Sequence, residues 1–340
     1  MTTIDPPLPR RRLVADTGRA AALRHPMLPL LVLLALAFHL STGSFLDPVN
    51  LRGIALDAAT IAIVAAPLAL LIISGYLDLS VGSTLALGGL VAGWLAADGH
   101  SLPVAVLGAL AAGAAVGALN ALLCCHAGLS SFIVTLGMLT AVRGLGQQLF
   151  PLPLSNFGTG FAWLGGAALA GIAAPIVIAA AVLAGAAAFL ALVPAGRYVF
   201  AIGVNREAAH LSGINVRRTP AALFVVTAAA AALAGAIKAS VLDSVASGTS
   251  GLGFELTVLT AVLLGGVALS GGAGSIFGVL LGVLFLGALQ NGLTLLSVPT
   301  FWQLIAQGVA LIVGAGLATL APRLQTVRHA ATPHREGVRR

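Results

Sequence analysis

Charge is what this 340-residue chain has least of, with 8% Asp, Glu, Lys and Arg against about 25% in an ordinary soluble domain. That excludes a water-soluble globular protein. The chain contains one lysine, Lys238, and Ala239 and Ser240 follow it with no glycine-rich phosphate loop before it. A P-loop ATPase site within this chain is therefore excluded. Cysteine is confined to the adjacent pair Cys124 and Cys125, which has poor geometry for a structural disulfide and lacks the spacing of zinc pairs. Both read as ordinary apolar residues. The seven histidines are scattered, with no carboxylate partner at ligand spacing, so neither a metal nor a set of catalytic residues is indicated. Aromatics are 5% of the chain, and no basic face built for water accompanies them, so nucleic acid is not an expected partner.

What the chain has instead is apolar length. Hydrophobic residues make up 59%, and 42 glycines come in addition. Predominantly apolar stretches lie near 28 to 46, 51 to 74, 79 to 97, 103 to 124 and 130 to 149, then near 170 to 193, 220 to 241, 254 to 270, 275 to 296 and 301 to 320. At about 20 residues per crossing, this predicts an all-α integral membrane protein of about ten transmembrane helices. Three parts are expected: an N-terminal tail over 1–27, a transmembrane domain over 28–320, and a C-terminal tail over 321–340. The Arg-rich start is longer than a signal-peptide n-region, and no small-residue cleavage site follows the first apolar run, so the N-terminal tail is read as retained.

An even count places both termini on one side, and the positive-inside rule identifies it. Of the 17 basic residues, all but Arg52, Arg143 and Lys238 lie in the two tails or in the stretch 194 to 219. Those segments, and both termini, are expected to be cytoplasmic.

Small residues recur four apart at Gly89 and Gly93, at Gly113 and Gly117, and at Gly274, Gly278 and Gly282, a spacing that permits close helix packing in lipid. Two segments, 74–83 and 265–275, break the helical rhythm, and each contains Leu-Ser and a nearby Gly-Ser. They fit either tight cytoplasmic turns or the discontinuous, re-entrant segments of transporters. Charges within spans are costly. Asp57, Arg52 and Lys238 lie near span ends, where snorkelling to the interface is the simpler reading. Arg143 lies deep in the fifth span and is expected to face the bundle interior and bond to backbone carbonyls, as a structural residue or as a solute contact. Candidate translocation-pathway residues are Tyr76, Asp78, Ser80, Asn120, Thr135, Arg143, Gln290 and Asn291, although an uncharged polar side chain in a span, taken alone, is more often interhelical glue than a solute contact.

The longest polar interruption is 196–218. Within it Asn205 can cap a short helix in which Arg206, Glu207 and His210 form a polar side. Ala208, Ala209 and Leu211 supply apolar contacts, and Ser212 and Gly213 end the helix. Two turns are too short to be stable alone, so this helix must dock on a partner protein or on its own bundle.

The stretch GRYVFAIGVNREAAHLSGINVRR resembles the coupling segment of the ribose/xylose-type permeases of ATP-binding-cassette importers, in the branched-chain amino acid/monosaccharide permease superfamily. SGYLDLSVGS, FIVTLGMLTAVRGL and LTAVLLGGVALSGGAGSIFGVLLG with FLGALQNGL resemble other signatures of that family, in order, from about residue 45 to 320. The resemblance implies a bacterial inner-membrane permease, present as two identical or related copies per transporter. ATP and Mg would be bound by a separate cytoplasmic ATPase subunit, and a periplasmic solute-binding protein would deliver the solute. It also implies that Glu207, Ala208, Ala209 and Gly213 form the motif that docks on the ATPase. Tyr76 stands where the family usually has glycine and Gln290 where it usually has asparagine, so a tyrosine ring is expected to narrow the path if 74–83 lines it. The implied cargo is a pentose or hexose, with a polyol, a furanose signal or a nucleoside as alternatives. A proton-coupled secondary transporter relaying through Asp57, Asp78 and Glu255 is the rival from another class, and a membrane-embedded enzyme is a weaker one.

Overall fold

The computed structural model describes residues 27–330, with side chains through residue 314. The tail over 1–27 lies outside the described residues except for Met27, as do residues 331–340 of the C-terminal tail. The described chain is helical almost throughout. In order it runs through α1 (Met27–Thr42), α2 (Pro48–Ile73), α3 (Val81–Ala97), α4 (Leu102–Ala121, continued by a π turn over Leu122–His126) and α5 (Ser131–Leu149). After α6 (Thr159–Gly166) come α7 (Ala174–Leu192), α8 (Pro194–Val204), α9 (Arg206–Leu211), α10 (Arg218–Leu242), α11 (Phe254–Leu264), α12 (Ile276–Leu295) and α13 (Thr300–Ala330). Proline occupies the first turn of α2, α4, α7 and α8, where its missing N–H costs no hydrogen bond.

Every expected apolar stretch carries a helix, but the helices are unequal. Among the described residues, five are long and apolar enough to cross a membrane: α2, α4 with its π turn, α7, α10 and α12. The expected span over 254–270 is corrected to a half-length helix. With 11 residues, α11 is about 16 Å long at 1.5 Å per residue, against about 30 Å of hydrocarbon. It ends at Gly265 and Gly266, the latter at φ +83°. The ten stretches are therefore not ten full-length helices. At the other end, α13 passes through the expected domain boundary at 320 and continues to Ala330.

The centre is built on α2 and α10. Residues from Ile61 to Ile73 of α2 are all buried, and α10 packs along both α3 and α4. The glycine ridges lie where backbones meet. A Cβ on Gly113 or Gly117 of α4 would lie 2.5 Å from the carbonyls of Ala228 or Phe224 on α10. Gly278 and Gly282 of α12 face the carbonyls of Gly265 and Ala261 at the end of α11. Without a hydrophobic drive between helices in lipid, this close approach supplies the packing energy. The outer surface is apolar, with Leu33 of α1, Ile133 of α5 and Ile312 of α13 between 63% and 73% exposed, as a bundle surrounded by lipid requires.

Two small pairings brace the long connections. β1 (Leu154–Ser155) pairs antiparallel with β4 (Ser244–Val245), and β2 (Ala168–Leu169) with β3 (Ile172–Ala173). Asp243 ends α10 in a left-handed conformation, and its carboxylate accepts a 3.0 Å bond from the Phe157 amide.

Candidate functional site

The sequence-derived candidates fall in three places. The first is α9. Asn205 is extended at φ −156° and its side-chain oxygen accepts a 2.9 Å bond from the Ala208 amide, satisfying one of the free N–H groups of the first turn. Gly213 follows at φ +81° and turns the chain out of the helix. Arg206, Glu207, Ala208, His210 and Ser212 are exposed and Ala209 is buried. Leu211, expected to supply an apolar contact, is instead 81% exposed, and Val204 just before the helix is 74% exposed. The helix projects an apolar tip among polar groups. A cavity of about 780 Å³ lies beside it, lined by Arg206, Glu207, His210 and residues 213–217.

Beneath α9, both rhythm-breaking segments converge. The amide of Gly272 donates a 2.8 Å bond to the carbonyl of Ile73, and a Cβ on Gly271 would lie 3.1 Å from the Cα of Gly75. Gly203, at the end of α8, fits between them only because it has no side chain: a Cβ there would collide with the Ile73 carbonyl and lie 2.5 Å from the Gly272 nitrogen. The Arg206 guanidinium stands over the ring of Tyr76, 5.5 Å from its centre.

The second place is a buried polar knot at the start of α3. Asp78 Oδ1 accepts bonds from the Ser80 amide (2.8 Å) and hydroxyl (2.6 Å). Asn120 of α4 donates to Asp78 Oδ2 (3.3 Å) and to Ser80 Oγ (3.0 Å). Thr135 of α5 donates to the carbonyls of Ser131 (2.7 Å) and Leu77 (3.4 Å), and the Leu77 amide donates to Ser131 Oγ. Asp78, Ser80, Asn120 and Thr135 are each at most 1% exposed. The knot holds the non-helical segment 74–80 inside protein, which is where irregular backbone at membrane depth is tolerated. Tyr76 is packed edge-on against Phe224 and is buried, so its ring lines no path here.

The third place is a polar cavity of about 710 Å³ on α2, α10, α11, α12 and α13. Gln290 and Asn291 line it, together with Asp57, Lys238, Thr257 and Gln307. Gln307 donates to Thr257 Oγ1 at 2.7 Å, and Gln290 to Gln307 at 3.4 Å, while Asn291 and Asn50 exchange two 2.9 Å bonds. Part of one wall comes from the non-helical segment 243–253, at Thr249, Ser250, Gly251 and Leu252. Arg143 holds that segment in place by donating to the carbonyls of Ser247 (3.3 Å) and Ser250. Gly251 sits against the carbonyl of Gly82. Arg143 thus bonds to backbone carbonyls and is not among the residues that line the cavity.

Of the eight pathway candidates, then, only Gln290 and Asn291 line the cavity. Sequence reasoning missed the segment 243–253 and assigned Asp57 and Lys238 to the interface. The missed signal was the Gly and Ser content of DSVASGTSGLG, a third break in the helical rhythm.

Several helices long enough to cross a membrane, an exposed short helix on one connection and a polar cavity among them are the parts a membrane permease needs. The chain belongs to the family described as branched-chain amino acid transport system / permease component, whose model matches residues 50–315. It is similar to the ribose import permease protein RbsC of Escherichia coli (strain K12), 38% identical over 84% of this chain and 90% of that one. Similarity extends to the L-arabinose ABC transporter permease protein AraH of Azospirillum brasilense, 37% identical over 80% of each chain. The xylose transport system permease protein XylH of Escherichia coli (strain K12) is 30% identical over 87% of this chain and 92% of its own. No solved structure matches the chain significantly. The protein is an ABC-importer permease of the inner membrane.

Proposed function

We propose that the chain is the translocating subunit for a monosaccharide, a pentose or hexose, moved from periplasm to cytoplasm with ATP and Mg bound by a partner ATPase. A periplasmic solute-binding protein delivers the solute, and a second permease copy completes the transporter. The observation that carries this reading is the similarity to ribose, arabinose and xylose permeases along most of both chains. Both termini and α9 face the cytoplasm, in accord with the clustering of arginine.

The mechanism is alternating access. ATP binding in the partner moves α9, and this chain passes the movement on without making or breaking bonds. Support comes from the docking of α8, at Gly203, between the end of α2 at Ile73 and Gly272 of the segment that leads into α12, so that a shift of α9 is felt by both. Against proton coupling stands the scatter of its supposed relay. Asp57 lines the cavity, Asp78 lies in the buried knot, and Glu255 lies against Gly82. No hydrogen bond joins these three.

The test is uptake of labelled sugar by vesicles carrying the permease, its ATPase and its binding protein. Uptake is expected to require ATP and to survive a protonophore. Glu207→Arg is expected to abolish it while the protein still inserts. Uptake that ignores ATP and collapses with the protonophore overturns the proposal, and uptake of a polyol or nucleoside in place of sugars redirects the solute class.

A further inference from the structure

We infer that the cavity between α2 and α10 is the solute site, and that Asp57 and Lys238 are its two recognition poles, selecting an uncharged polyhydroxylated solute. The inference rests on the proposed function and adds the residues and the chemistry of recognition.

Both charges are expensive to place in a bilayer, and two stabilising explanations are available for them. One is release to the lipid interface by snorkelling. The structure instead turns both side chains onto the same cavity, where each is exposed. The other is mutual neutralisation by an ion pair. Asp57 and Lys238 line one cavity, but no salt bridge within 4.0 Å joins them. Two opposite charges held apart across a water-accessible space leave room for a third group between them.

The chemistry of that group follows from the poles. A carboxylate accepts hydrogen bonds from adjacent hydroxyls, and an ammonium donates to a hydroxyl or ring oxygen. Because the poles carry opposite signs, a solute with net charge gains at one and loses at the other. The rest of the polar lining includes amides and hydroxyls at Thr60, Thr257, Gln290 and Gln307, which offer donors and acceptors without further charge. The volume, about 710 Å³, lies within the range of small-molecule sites. A zwitterionic amino acid would also answer to two opposite poles, and the test separates it from a sugar.

The experiment uses proteoliposomes of the complete transporter with its ATPase and binding protein. D-Ribose, L-arabinose, D-xylose and L-leucine serve as labelled probes. Asp57→Asn and Lys238→Met are each expected to lower sugar uptake about tenfold or more, the size of one lost charge-assisted bond, with ATPase assembly and ATP hydrolysis retained. In a Cys124→Ala, Cys125→Ala background, Thr60→Cys is expected to react with a membrane-impermeant thiol reagent and to be protected by the transported sugar. This second readout does not depend on the folding of the charge variants. If the wild type shows ATP-driven sugar uptake but the charge variants match it and sugar gives no protection, the site assignment fails while the proposed function stands. If L-leucine protects and is taken up while sugars are not, the solute class is overturned. If the assembled wild type moves no probe with ATP, the proposed function fails and the site falls with it.

Discussion

Arg143 shows how a cation is accommodated inside an apolar bundle. Its guanidinium is spent on two carbonyls of a segment that has no helix to satisfy them, and the segment in turn forms part of the cavity wall. Arg143→Leu is expected to leave those carbonyls short of a donor, a loss of about 1–3 kcal/mol, read as a lower melting temperature in detergent, with partial recovery in Arg143→Lys. Gly82 makes the complementary point. A side chain there would collide with the Glu255 carboxylate and lie 2.7 Å from the Gly251 carbonyl. Gly82→Val is therefore expected to cost about 1–3 kcal/mol by overpacking. Gly53 has nothing within 4 Å of an added Cβ, and Gly53→Ala in the same assay is expected to be neutral or slightly stabilising.

Among the elements, α9 is the one whose stability is most local and most exposed. Six residues cannot hold a helix in water, so the Asn205 cap and the burial of Ala209 carry it. Asn205→Ala is expected to cost about 1 kcal/mol of local stability and to lower the yield of ATPase subunit recovered with the detergent-solubilised permease. Asn205→Ser restores the cap and is expected to restore the yield; equal recovery with all three side chains would show that capping is irrelevant to docking. The half-length α11 depends on tertiary partners in the same way, with glycine-mediated contacts to α12 on one side and the Gly82–Gly251 approach at its start.

Across the whole molecule, the proposed orientation rests on the asymmetry of arginine. A fluorescent-protein fusion after Arg340 is expected to be bright, and an alkaline phosphatase fusion after Leu152, between α5 and α6, is expected to be active; the opposite pattern would invert the topology and remove α9 from the ATPase side. Most helix positions were legible from sequence because a membrane helix needs one unbroken apolar run. The expected stretch 51 to 74 is realised as Pro48–Ile73 and 275 to 296 as Ile276–Leu295. The capped helix at Asn205 and its stop at Gly213 were legible for a similar reason: both are local backbone chemistry. Contiguity and local capping need no knowledge of the rest of the chain. Which polar residues meet is a different matter, because helices distant in sequence are brought together only by packing. Nothing along the chain sets Asp57 of α2 opposite Lys238 of α10, separates Asp78 from Gln290, or folds the segment 243–253 inward against Gly82 and Arg143. Those decisions belong to the bundle, where backbone that lacks helical hydrogen bonds must find donors in protein or face a polar cavity.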